Sequence, residues 1–477
     1  MRRRKLPIFA AAAVLLGIGC AVPWLVYQES GRTPSELIRH AQAEVQQYPR
    51  LERIVLPILN DLLAWFGEPE YGGKPIPFAV PALPQNATAP ESSALSPKAT
   101  PGNARAGGHA ARDEPGIIRV GPGRSVPSIA IAARLAKDGD TVEIDAGDYH
   151  ADVASWHQNS LTLRGVGGQV RLVASGAHAE GKAIWVIKGK SVTVENIEFV
   201  GARVPDRNGA GIRLESGQLI VRNCLFFDNE NGIMTAGDGD IDLEIETSEF
   251  GYNGVGDGQS HGLYAGAIRS LKVIGSYFHH SNVGHLIKSR AATNYIAYNR
   301  FTDEPGGRAS YELEFPNGGI AYVIGNIVQQ GAQASNSTLV SYGAEGYSGS
   351  SNQLHLVHNT LVNDHPYGGA FLRVAPGAQL VRTRNNILVG SGQLKISGLR
   401  DSAGDIKAGW EIFAHAARED YRLNAEGRKL AAVSVGMANG MDLTPHSEYV
   451  HPKKLMKLAN LPALPGALQS ATPLRGP

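Results

Sequence analysis

A short pattern, an aliphatic strand closed by asparagine, serine or another residue suited to a tight corner, returns along the middle of this chain and constrains its fold more than any other feature. It reads Val194-Glu195-Asn196-Ile197, Val221-Arg222-Asn223-Cys224, Ile245-Glu246-Thr247-Ser248, Val273-Ile274-Gly275-Ser276 and Ile296-Ala297-Tyr298-Asn299. It continues through Ile324-Gly325-Asn326-Ile327, Val357-His358-Asn359-Thr360 and Arg384-Asn385-Asn386-Ile387, mostly at spacings of 23 to 28 residues with one longer interval. That period belongs to a solenoid in which each repeat is one coil. Short polar side chains suit the corners because they tolerate left-handed backbone and bond to neighbouring main chain, so stacked corners can form amide ladders.

A second strand follows each corner, as in Gly211-Ile212-Arg213-Leu214, Gly262-Leu263-Tyr264, His285-Leu286-Ile287-Lys288, Tyr311-Glu312-Leu313-Glu314 and Thr338-Leu339-Val340. Leucine-rich and hexapeptide solenoids have other consensus residues, so the reading is an all-β, single-stranded, right-handed parallel β-helix over 117–400. The 57 glycines, with only 19% charged and 7% aromatic residues, agree with many short strands and turns. Residues 401–477 read as a C-terminal cap and tail, with helical character from Ile406 to Leu430.

The N-terminal third reads differently. Arg2, Arg3, Arg4 and Lys5 precede an uncharged run from Leu6 to Tyr27, which predicts a membrane anchor over 1–30 that leaves the β-helix in the bacterial periplasm. Lipoprotein processing at Cys20 is the rival, and Gly17 and the apolar continuation after Cys20 oppose it. Thr33-Pro34-Ser35-Glu36 is a capping-box start for a helical segment over 31–67, whose apolar stripe packs on the preceding helix or else on a partner subunit or membrane surface. Residues 68–116, rich in Pro, Ala, Ser and Gly, read as a flexible linker.

With 45 basic and 44 acidic residues the chain has no global field to gather nucleic acid, and it carries no phosphate-cradling Gly-Lys-Ser arrangement. Two cysteines, Cys20 and Cys224, form no disulfide framework. Chemistry is expected where three coils share one length. His261 to His285 is 24 residues, Tyr264 to Lys288 to Glu312 is 24 each, and Arg290 to Glu314 is 24. Residues one coil apart lie about 4.8 Å apart on neighbouring strands, so Tyr264, Lys288 and Glu312 are expected to stack. Strand parity sends Leu263, Ile287 and Tyr311 inward, and Tyr264, Lys288, Arg290, Glu312 and Glu314 outward. His261 and His285 flank this patch, either in catalysis or bonded to nearby backbone.

These side chains suit polysaccharide chemistry. A lysine can abstract a proton, a tyrosine can protonate a leaving oxygen, and Arg290, or calcium on Glu312 and Glu314, can neutralise a uronate carboxylate. Two other readings compete: an inverting hydrolase using Glu312 and Glu314, and a polysaccharide-binding or scaffolding solenoid with ordinary cross-strand ion pairs. Loops 251–260, 331–337 and 344–353 are candidate groove walls.

The stretch from Val126-Pro127-Ser128-Ile129 to Gly147-Asp148-Tyr149 resembles the opening of pectate-lyase-superfamily chains, whose helix-strand-turn plugs the first coil. Ile287-Lys288-Ser289, followed by Asn294, Asn299, Phe301 and Gly307, resembles the surroundings of the catalytic lysine in the chondroitinase-B and alginate-lyase branch. That resemblance implies a lyase or epimerase in which Lys288 takes the lysine's place. It departs at Glu312 and Glu314, where the branch has an arginine, and at His285, where it has a calcium-binding carboxylate.

Overall fold

The computed structural model describes residues 116–304 and 306–471. The anchor at 1–30, the helical segment at 31–67 and all but the last residue of the 68–116 linker lie outside the described residues. Among the described residues no helix is long and apolar enough to cross a membrane.

The repeat folds as a parallel β-helix. One face is a ten-stranded parallel sheet running in chain order from Ala154–Trp156 through Leu263–Ala265, Ile287–Ser289 and Leu313–Phe315 to Gln393–Ile396, called sheet I below. The other two faces belong to one 21-stranded ladder. Sheet II holds the strands of the repeat pattern, such as Asp242–Glu246, Ser270–Ile274 and Thr293–Ala297, and sheet III the strands after each corner, such as Glu249–Gly251, Tyr277–His279 and Arg300–Thr302.

Register explains why the pattern was visible. Val221, Ile245, Val273, Ile296, Val323 and Leu356 are consecutive cross-strand partners, all buried, so one aliphatic position per repeat builds one inward column. Phe199, Phe226, Phe250, Phe278 and Phe301 stack through the interior from sheet III with centroids 4.4 to 5.2 Å apart. The helix Ile129–Leu135, N-capped by Ser128, adds Ile129, Ala132 and Ala133 to the same core at the first coil, as the plug reading expects.

Between sheets II and III the chain turns on one left-handed residue per coil, among them Asn196, Asn223, Gly275, Tyr298, Gly325 and Asn385. The next residue forms the ladder. Asn299 N donates to Asn326 Oδ1, Asn326 N to Asn359 Oδ1 and Asn359 N to Asn386 Oδ1, each at 2.9 Å. The amide of Asn326 also donates to Ile296 O at 2.8 Å, so each ladder residue satisfies main chain that the tight corner buries.

The helix expected from Ile406 to Leu430 does not form. Ile406–Ala408 pairs with Ile387–Val389 as a further strand, and Phe413–His415 pairs antiparallel with Asp420–Leu423. The apolar residues of this stretch serve the outside of the solenoid. Ile412, Phe413, Tyr421 and Leu423 pack on Tyr277, Ile327, Val362 and Ile387 of sheet III, and Val435, Ala438 and Leu443 pack on sheet II near Tyr322 and Val357. Arg300, paired with its neighbour Glu304, ties the tail down through the Glu419 carboxylate and by an Nη1 donation to Glu419 O at 3.2 Å.

Candidate active site

The patch expected around Lys288 forms on the outer side of sheet I, without Glu312 and with Glu345 and Asn317 added. Tyr264 and Lys288 are cross-strand partners, but the partner of Lys288 on the following strand is Glu314 and not Glu312. The equal-length expectation fails there because Leu263 pairs with Ile287 at a separation of 24 residues, whereas Ile287 pairs with Leu313 at a separation of 26. Leu313 therefore takes the inward place expected for Tyr311, whose ring instead lies edge-on to His285 at 4.9 Å.

Glu312 is correspondingly misplaced by the sequence reading. It is fully buried between the coil positions of Leu286 and Leu339, and neither carboxyl oxygen has a partner. Burial, reinforced by Asp303, pushes its pKa well above the carboxylate range, so it sits in the core as a neutral acid. The proposed Glu312 and Glu314 pair does not exist on one face, either as the two carboxyls of a hydrolase or as a calcium seat. Among the described residues no group of three or more His, Cys, Asp or Glu side chains is arranged to hold a metal ion.

What does assemble is a mixed-charge cluster completed by a loop. Lys288 Nζ lies 3.1 Å from Glu314 Oε2 and donates to Glu345 Oε1 at 2.9 Å. Arg290 Nε donates to Tyr264 Oη at 3.0 Å, its Nη1 donates to Asn317 Oδ1, and its Nη2 lies 2.7 Å from Glu345 Oε2. His285 Nε2 approaches the same Glu314 oxygen at 3.0 Å. The rings of His261 and His285 stack at 4.6 Å, and His261 Nδ1 accepts the backbone N–H of His285 at 3.1 Å. The two histidines thus lie beside the patch, His261 bonded to main chain and His285 close to Glu314.

The electrostatics assign roles. Burial, with His285, Lys288 and Arg290 nearby, holds His261 well below the usual histidine range, so it is neutral. Its Nδ1 already accepts a hydrogen bond, so the ring proton resides on Nε2 and this histidine has no free basic nitrogen. Burial alone would raise Glu314, but His285 and Lys288 hold it down at about 2. Burial likewise opposes ionisation of Glu345, and Lys288 and Arg290 overcome it. Both carboxylates are thus held in the ionised form by the cations beside them.

Glu345 and Asn317 were not singled out from the sequence. Both lie in turns after strands of sheet I, where no period exists to flag them. The signal available was one acidic residue in the otherwise small and polar stretch Gly343-Ala344-Glu345-Gly346, at the edge of the loop read as a groove wall.

No family model matches this chain, and no curated protein matches it. Solved structures similar to it include pectate lyase Pel9A, with a TM-score of 0.46 and 12% identity over 74% of this chain and 96% of that one. Geobacillus virus E2 ORF18 is similar with a TM-score of 0.36 and 15% identity, covering 57% of this chain and 53% of that one. The catalytic unit of a GH87 alpha-1,3-glucanase from Streptomyces thermodiastaticus gives 0.29 and 14%, covering 61% and 68%.

Proposed function

We propose that this protein is a carbohydrate-active enzyme that takes the C5 proton from a uronate unit of an acidic polysaccharide, leading to β-elimination or epimerisation. The observation that carries this reading is the contact of Arg290 Nε with Tyr264 Oη at 3.0 Å, one coil from the Lys288 ammonium. A guanidinium donating to a phenol oxygen stabilises negative charge developing on that oxygen, which equips Tyr264 to exchange a proton with substrate. Lys288 and Arg290 supply the positive charge that must meet the uronate carboxylate for C5–H to become acidic. Lys288 lies against Glu314 and Glu345, so it acts here as charge partner of the carboxylate, and proton transfer falls to Tyr264.

Incubation of the purified protein with alginate, pectate and glycosaminoglycans, followed by ultraviolet absorbance of unsaturated uronates and by isomer analysis of the polymer, tests the reading. Tyr264→Phe should lower kcat by about 100-fold or more with a smaller change in KM. Lys288→Ala should raise KM and lower kcat together. Absence of both products from every acidic polymer would refute it and leave polysaccharide binding or scaffolding. The basic and apolar N-terminal segment supports a tether in the bacterial inner membrane with the β-helix in the periplasm, which membrane fractionation and protease accessibility test.

A further inference from the structure

The contacts of Glu345 go beyond an ordinary surface ion pair. Its two oxygens are divided between two cations, Oε1 to Lys288 Nζ at 2.9 Å and Oε2 to Arg290 Nη2 at 2.7 Å. This is how a two-cation clamp receives a ligand carboxylate. We propose that Glu345 is an internal stand-in for the substrate's carboxylate, filling a subsite formed by Lys288 and Arg290 from which the carboxylate of an acidic sugar displaces it. The proposal rests on the functional reading above and names the group that the site recognises and the side chain with which that group competes.

The clamp does not depend on Glu345 for its shape. Glu314 lies 3.1 Å from Lys288, while Tyr264 and Asn317 hold Arg290. Those three residues belong to sheet I or the turn after it, whereas Glu345 comes from a turn one coil further along. The cations are largely enclosed, with side chains 14% and 23% exposed, while the Glu345 side chain is 43% exposed. The outermost member is therefore the one that can leave.

Leaving requires no opening of the loop. Glu345 N donates to Pro316 O at 2.9 Å, Ser348 N to Asn317 O at 3.2 Å and Tyr347 Oη to Ala375 O at 2.8 Å. Gly343 has a φ of +76° and its missing Cβ would stand 2.3 Å from the Tyr347 ring, so glycine lets the turn fold tightly over the ring. The backbone is thus pinned and only the glutamate side chain needs to rotate. Glu345 is the half-exposed partner and returns to water when it rotates out, and an arriving carboxylate replaces its contacts with both cations, so the exchange costs little; every acidic ligand must still compete with it, and its apparent affinity is scaled down by the fraction of clamps that are open. A neutral sugar gains nothing from displacing Glu345.

The test is direct binding, read apart from turnover. Isothermal titration of oligogalacturonate, oligomannuronate and hyaluronan fragments, with a neutral cello-oligosaccharide as control, would be run on the full-length protein and on Glu345→Gln and Glu345→Ala. At least one acidic oligosaccharide should bind both variants roughly three- to tenfold more tightly than the parent, with the neutral control unchanged. Unchanged or weaker acidic binding in Glu345→Gln overturns the proposal, as does failure of all acidic ligands to bind any of the three proteins. Tighter acidic binding without uronate product would sustain the stand-in and refute the enzyme reading; product with unaltered binding would do the reverse.

Discussion

Asp303 should make the stability of this β-helix fall as pH rises through the acid and neutral range, and Asp303→Asn should remove that effect together with the part of the Glu312 shift that Asp303 causes. The Asp303 carboxyl is buried where the chain leaves sheet III. Its Oδ1 accepts the N–H of Ala309 at 2.8 Å, while Oδ2 has no side-chain partner. Burial raises its pKa from 3.8 to about 7, with the Ala309 and Gly331 N–H groups opposing the rise. Below the unfolded value both states are protonated and there is no penalty. Between the two values the folded state holds one more proton than the unfolded state, so stability falls with pH at about 1.4 kcal/mol per unit. Over roughly three units the loss reaches about 4 kcal/mol by pH 7 and grows no further above it.

Asparagine keeps the acceptor for Ala309 but places an NH2 where Oδ2 now lies, at a cost of about 1–2 kcal/mol. The variant should be the less stable protein near pH 4.5 and the more stable one near pH 8, with the curves crossing between. Glu314, held at about 2, has the opposite sign: it contributes stability above the unfolded carboxylate pKa that is lost as pH falls towards 2. That term is common to both proteins and cancels in their difference. Urea midpoints of parent and variant measured in parallel from pH 4.5 to 8.5 provide the readout. Parallel curves would refute the assignment of a buried, proton-holding Asp303.

Glu312→Leu should stabilise the protein by about 1–3 kcal/mol at pH 8, because it replaces two unpartnered oxygens between Leu286 and Leu339 with a side chain that needs no partner; an unchanged or lower thermal midpoint would count against the interior placement. Asn326→Ala should cost about 3 kcal/mol or more, since it strands the Asn299 N–H and the Ile296 carbonyl together, and denaturant midpoints measure it. Gly284→Ala should misplace His285 and the strand that carries Lys288, because a Cβ there would stand 1.7 Å from Ser260 O; lowered expression or thermal midpoint, with lost activity, is the expected outcome.

How far the sequence exposes this molecule follows from what repeats in it. The corner asparagines recur because each coil must satisfy the same buried main chain, and the aliphatic columns recur because each coil covers the same interior. Those demands wrote the β-helix into the order of residues. The same periodicity located Tyr264 opposite Lys288, since the two coils have equal length. It failed one coil later, where a two-residue insertion brought Glu314 beside Lys288 and sent Glu312 into the core. Counting along a chain cannot place an insertion within a coil; hydrogen bonding and burial decide where the excess is absorbed.

The tail misled the reading for a related reason. Its spacing of apolar residues from Ile406 to Leu430 suits a helix viewed alone, but Ile412, Phe413 and Tyr421 are matched to an outer sheet surface that the local sequence does not reveal. Glu345 is the limiting case. Nothing in its neighbourhood repeats, and its meaning comes only from the two cations that it meets in space, 57 and 55 residues earlier in the chain. A β-helix builds its sheets from the periodic part of the sequence and completes its site from the aperiodic turns. The scaffold was therefore legible, while the group that faces the clamp was not. By the same logic, a single substitution in a turn such as 343–349 should alter the surroundings of Lys288 and Arg290 and leave every coil in register.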